Sequence, residues 1–241
     1  MYPFVRLAFA LPLLVVAACT VTTGPRKSGG LMTGNLIPAF SARGDGARLT
    51  IDATLYASSV ETVELSDGDH FEVTVGGAPV NLVKQGDNTY EGKLAMPTQE
   101  VPVLVAFRRA AGKTDAPSSV VTLPEPFSVV SASVAATWSA SGDLALRTSG
   151  IKSTVVEVRV EAACLVNGVQ SLTVIVGSNG DVVVSGSKLH FESAAPDCDV
   201  SATVVLSAQG KVDPALGVSS FDQGRGIFAA QERRVSTHVT P

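Results

Sequence analysis

Catalysis and metal binding both need histidine, cysteine or carboxylate side chains that converge in space. The three histidines, His70, His190 and His238, stand far apart in the chain, and none has another histidine or a cysteine at ligand spacing. His190 shares its alternation parity with Lys188 and Glu192 and opposes Leu189 and Phe191, while His70 goes with Glu72 against Phe71 and Val73. A period of two turns such imidazoles to solvent, so all three histidines are expected to be exposed and structural. The chain has no G-x-S-x-G elbow and no glycine-rich phosphate loop with a lysine. Its acidic turns, SDGD at 66–69, GDN at 86–88 and PDCD at 196–199, lack the spaced carboxylates of a calcium loop. Asp-Gly is first of all a hairpin turn. The residues therefore predict no catalytic, cofactor-binding or metal-binding side chain, and no cofactor.

Binding chemistry is equally sparse. Trp138 alternates with Val134 and Ala136 and is expected in a core, which leaves Tyr56 and Tyr90 as two scattered rings and no platform for a sugar. The pairs Arg108–Arg109 and Arg233–Arg234 are expected to solvate strand ends. Arg43-Gly44-Asp45 resembles the tripeptide by which integrins grip matrix proteins, but Gly and Asp also suit a turn ahead of a strand. The net charge of −4 moves to −5 when Arg6 is lost with the leader described next. Mild acidity excludes a nucleic-acid partner, which requires clustered lysine and arginine.

From Met1 to Ala18 the chain has the parts of an export signal, with Arg6 as its only charge and an apolar run from Leu7 to Ala18. That run is too short for the ~30 Å hydrocarbon core, which takes about 20 apolar residues. Val16-Ala17-Ala18-Cys19 resembles the bacterial lipobox. The resemblance implies diacylglycerol on the Cys19 thiol, cleavage before Cys19, and acylation of the new amine. Two or three acyl chains hold firmly where one is marginal, since each buried CH₂ contributes roughly 0.8 kcal/mol. The alternative is an ordinary signal peptide cut after Ala18. Thr20 stands where aspartate would retain a Gram-negative lipoprotein in the inner membrane, so the resemblance further implies the outer membrane. With Cys19 given to lipid, Cys164 and Cys198 remain as a pair that an oxidising compartment can join.

The mature part then divides. Residues 1–18 are the signal peptide, and 19–34 (through TVTTGPRKSGGLMTG) are expected to be a lipid-anchored flexible tether. Strand signals follow in RLTIDATLY, HFEVTV, VNLV, TYEGKLA, VPVLVAF and SSVVTL, separated by Gly, Asp and Pro. LPEPF at 123–127 is a stiff link, because each proline ring fixes φ and restricts its predecessor. The expected domains are 35–123 and 124–241. In the second, TVVEVRVEAAC and CDVSATVVL place Cys164 and Cys198 on the inward parity of their strands, as a bridge requires, and LTVIV, DVVV, KLHF and RRVSTHV supply more strands. The expected fold is all-β, two tandem antiparallel β-sandwiches. These resemble immunoglobulin-like or fibronectin-like domains over about 36–240, although Trp138 precedes both cysteines where an antibody-type core tryptophan lies between them. The whole resembles bacterial lipoproteins built only from such modules.

The expected function is that of a non-enzymatic cell-envelope protein. It would be held by lipid on Cys19 in the outer membrane of a Gram-negative bacterium, facing periplasm or surface. It would act as a binding, adhesion or accessory scaffold module for an envelope or surface protein. The rival readings are an envelope enzyme or small-ligand binder with a site assembled from distant residues, and a purely structural spacer.

Overall fold

The computed structural model describes residues 25–130, 137–193, 196–217 and 225–241. The first ten strands are β1 (Arg26–Lys27), β2 (Ile37–Gly44), β3 (Arg48–Tyr56), β4 (Val63–Glu64), β5 (His70–Val75), β6 (Ala78–Val80), β7 (Val83–Lys84), β8 (Tyr90–Ala95), β9 (Val101–Arg108) and β10 (Ala116–Leu123). Alternation explains the layers. In β3, Leu49, Ile51, Ala53 and Leu55 are all buried, and in β5 Val73 and Val75 turn inward. The β2-β3-β8-β7 layer and the β10-β9-β5-β6 layer close on a core that includes Phe40, Ile51, Leu55, Val103, Phe107 and Leu123. Phe71 packs edge-on against Phe40 and Tyr90, at 5.7 and 5.4 Å between centroids. Tyr90 is therefore a packing ring and not one of two scattered exposed ones.

The remaining strands are β11 (Ser128–Val129), β12 (Thr137–Ser139), β13 (Leu144–Ser149), β14 (Val155–Ala162), β15 (Val169–Ile175), β16 (Asp181–Val184), β17 (Cys198–Gln209) and β18 (Gly226–Thr240). The β15-β14-β17-β18 layer faces β11-β13-β16 over a second core. Val156, Val158, Val160, Val200, Ala202 and Val204 fill it from one side, and Leu144, Leu146, Val182 and Val184 from the other. Trp138 is buried there, as expected, and its Nε1–H donates to Gly142 O at 3.1 Å. Val134 and Ala136 lie outside the described residues, as does Cys19. Cys164 and Cys198 are joined by a disulfide, 34 positions apart. KLHF is not a strand: it holds the end of a 3₁₀ turn at Gly186–Lys188 and a single bridge from Phe191 to Leu165.

The chain is all-β, but its two halves are joined more closely than tandem modules. Strand β18 pairs with β17 along its length, from Phe228↔Gln209 to Val239↔Cys198. The start of β18 also pairs in parallel with β2, Gly226↔Ala39 through Gln231↔Gly44, and its end pairs in parallel with β12. One sheet thus runs through both halves, with parallel as well as antiparallel neighbours. Leu216, Ile227 and Ala229 belong to the first core. A division at 123/124 therefore does not describe the C-terminal hairpin, which completes both cores. The reason is length: 15 residues at about 3.3 Å each let β18 span roughly 50 Å.

A second correction concerns the tether. Within the expected tether, β1 at Arg26–Lys27 pairs in parallel with β4, and two 3₁₀ turns follow at Ser28–Gly30 and Thr33–Asn35. Ser28, Thr33 and Leu36 are buried. Gly-rich composition here serves a tightly packed turn, and not a free leash.

Candidate functional site

Three polar constellations stand out, and the sequence had named a residue in each without its partners. The first fixes the N-terminal segment. Arg109, expected at a solvated strand end, has a side chain with no exposure at all, and so does Asp69 opposite it. The Arg109 guanidinium donates to Ser28 O (2.6 Å), Leu31 O (3.0 Å), Thr33 Oγ1 (3.1 Å) and Asp69 Oδ2 (3.4 Å). Asp69 also accepts from Ser28 Oγ–H at 2.6 Å and from the Ala110 N–H at 2.7 Å. Burial alone would raise the Asp69 carboxyl. The Ser28 and Ala110 bonds and the Arg109 charge outweigh burial and hold it below its ordinary value. These contacts, with the Arg26–Glu61 ion pair at 3.1 Å, seat residues 26–35 on the end of the first core where β2 begins and β9 ends.

The second constellation lies at the opposite end of that core, where the halves meet. Gln231 is fully buried and donates to Pro124 O within the stiff link. Arg233 donates to Phe127 O at 2.7 Å and to Gln231 Oε1 at 2.9 Å, with its guanidinium 4.9 Å from the Phe127 ring centroid. Gly46, at φ +102°, lets Arg233 pass, since a Cβ there would stand 3.0 Å from the guanidinium carbon. Asp45 accepts N–H bonds from Ala47 (2.8 Å) and Arg48 (2.7 Å), which make it a turn residue with a lowered carboxyl pKa. The Arg43-Gly44-Asp45 tripeptide thus has a structural use, with Arg43 lying 5.4 Å from the Phe228 ring centroid.

The third is the candidate site. At the end of the second core farthest from the first, the outer face of β14, β17 and β18 carries a shallow trough of about 550 Å³. Its lining includes Glu161, Asp199, Ser201, Arg234, Ser236 and His238. Strand register builds it: Ser201 faces Ser236 across the hairpin and Asp199 faces His238, while Glu161 pairs with Ser201 from the other side. The two small serines leave the floor, and the longer side chains form the walls. Arg234 donates to Ser201 Oγ and pairs with Glu161 at 3.3 Å. His238 is clamped at both nitrogens, with Nδ1 2.9 Å from Asp199 Oδ1 and Nε2 2.7 Å from Asp197 Oδ1. These bonds, Asp199 first and Asp197 next, raise the His238 pKa above its ordinary value.

This geometry limits the chemistry. When protonated, an imidazole held this way donates from both nitrogens and keeps no lone pair with which to take a proton or ligate a metal. The trough offers carboxylates, an arginine, hydroxyls and a held imidazole, which is a hydrogen-bonding surface for a polar partner. His70 and His190 are exposed and do not line it. His70 lies beside Glu72, and the backbone of His190 exchanges hydrogen bonds with the Gln170 amide. Among the described residues, no group of three or more His, Cys, Asp or Glu side chains is arranged to hold a metal ion. No helix among them is long and apolar enough to cross a membrane.

No family model matches the chain, and neither does any curated protein. Among solved structures, the chain is similar to the adhesin InvE of Yersinia pseudotuberculosis, at 14% identity over 86% of this chain and 60% of that one, with a TM-score of 0.26. It is similar to a 282-residue C-terminal fragment of intimin in complex with the intimin-binding domain of the translocated intimin receptor, at 12% identity, 86% and 63% coverage and a TM-score of 0.29. A third similarity is to a Ca²⁺-stabilized adhesin by which an Antarctic bacterium binds ice, at 15% identity, 87% and 49% coverage and a TM-score of 0.26. The chain spans less than two thirds of the length of each of these proteins.

Proposed function

We propose that the chain is a non-enzymatic cell-envelope protein, lipid-anchored through Cys19 in an outer membrane, and that it presents the distal trough to an envelope or surface protein. The observation that carries this reading is the placement of the N-terminal segment. Residues 26–35 are seated on the end of the first core that faces away from the junction, and hence away from the second core and its trough. Seven positions separate Cys19 from Arg26, a reach of at most about 25 Å. A lipid on Cys19 would hold the outer end of the first core close to the bilayer and leave the trough facing out. The Cys164–Cys198 disulfide supports the anchor, since it takes the chain's other two cysteines.

The β17–β18 hairpin and the Gln231–Arg233 contacts at the link favour a stiff body over two swinging beads. Val169, exposed on the outer face where β15 pairs with Glu161, lies beside the trough and adds an apolar edge to a polar surface. A buried-core, polar-rim pattern is what a specific partner would complete. The test places a photo-crosslinking residue at Val169 in intact envelopes. The expected result is a discrete protein adduct that is lost on Arg234→Ala or His238→Ala. No adduct would favour the spacer reading, and an adduct indifferent to both substitutions would move the binding face elsewhere.

A further inference from the structure

We infer that the outer end of the first core is a membrane-docking face, at which Met32 and Val60 enter the headgroup layer of the bilayer. The inference rests on the anchored reading above and adds the surface that meets the lipid. Met32 and Val60 are 74% and 86% exposed, and both stand at the end where the N-terminal segment is seated. Neither is held out by a slack loop. Met32 sits between the two 3₁₀ turns, whose carbonyls and hydroxyl are bound from beneath by the buried Arg109. Val60 follows Ser58 and Ser59, whose carbonyls both accept from Arg225, and Arg225 lies 3.5 Å from the Tyr56 ring centroid. Polar frameworks thus keep two large apolar side chains in water at one end of the body.

The chain outside the structure says what covers them. It leads from residue 25 back to Cys19, so an acylated Cys19 brings this same end to the bilayer surface within the short reach given above. Charge plays little part, because the cations at this end are engaged within the fold: Arg26 and Lys84 pair with Glu61 and Glu64, Lys113 donates to Gly29 O, and Arg225 donates to Ser58 O and Ser59 O. A neutral phosphatidylcholine surface is therefore sufficient, and docking should be insensitive to salt.

The experiment uses the chain from Cys19 onward with the Cys164–Cys198 disulfide intact. The Cys19 thiol is coupled to a maleimide-bearing lipid in phosphatidylcholine vesicles whose acyl chains are brominated. Tryptophan is placed singly by Met32→Trp, Val60→Trp, Val166→Trp and Val169→Trp, all at exposed positions. Docking predicts loss of tryptophan fluorescence at 32 and 60 and no loss at 166 and 169, the native Trp138 being buried in the second core. Unquenched tryptophans at 32 and 60, or equal quenching at all four, would overturn the docking face. Because the coupling is chemical, such a failure leaves biological lipidation of Cys19 to be judged separately.

Discussion

Asp69→Ala should cut the N-terminal segment loose. The carboxylate accepts two short bonds, from Ser28 Oγ and the Ala110 N–H, and is the counter-ion of Arg109, whose side chain is wholly buried. Its removal leaves the guanidinium without a counter-charge and the two donors without an acceptor. Breaking a buried ion pair by deleting one partner costs about 3–5 kcal/mol, against a typical domain stability of about 5–15 kcal/mol. Urea unfolding monitored on the first core should show a loss of that size. Trypsin should cut after Arg26 and Lys27 on the order of 10²–10³ times faster, as opening of the segment becomes easier by the same free energy. Replacing both partners, Asp69→Leu with Arg109→Met, should recover much of the loss, because neither charge is then stranded. The sign with pH follows from the lowered Asp69 pKa: its contribution is present above the unfolded value of 3.8 and disappears as pH falls through the folded one. A loss under about 1 kcal/mol with unchanged tryptic protection would refute the view that this pair seats the segment.

Further outcomes follow from the other constellations. Reducing the Cys164–Cys198 disulfide, which closes 34 positions, should cost roughly 3–4 kcal/mol by chain entropy, read as a lower urea midpoint for the Trp138 signal. His238 should titrate by NMR above 6.5, and Asp199→Asn or Asp197→Asn should lower its pKa. Since the folded pKa is raised, its contribution is complete below 6.5 and is lost as pH rises through the folded value. Gln231→Ala, which frees Pro124 O and one contact of Arg233, should speed amide exchange across 124–129 and leave exchange in β5 and β9 unchanged.

Much of the fold could be read from local alternation. RLTIDATLY coincides with β3 and HFEVTV with β5, because each has one face in a core and one in water. Strand β2 was harder: IPAFSARG carries a proline and small residues, and it is a strand because β3 and β18 bracket it. No local pattern announces a parallel partner nearly 190 residues away, so the shared C-terminal hairpin was hidden for the same reason. Arg109 could have been found. Val103, Val105, Phe107 and Arg109 share one parity, so continuing the inward face of β9 by one step buries a guanidinium. The trough was half legible. An inward Cys198 implies outward Asp197 and Asp199, but only the register of β17 on β18 brings His238 between them.

Lipid on Cys19 is the claim on which the orientation of the whole body depends. The direct measurement is labelling of cells with an alkyne palmitate analogue, followed by membrane fractionation of the wild-type chain and of Cys19→Ala. The account predicts a labelled, membrane-bound wild type and an unlabelled, released variant that still folds with its Cys164–Cys198 disulfide. A Cys19→Ala protein that remains labelled and membrane-bound, or a wild type that takes no label, would contradict it.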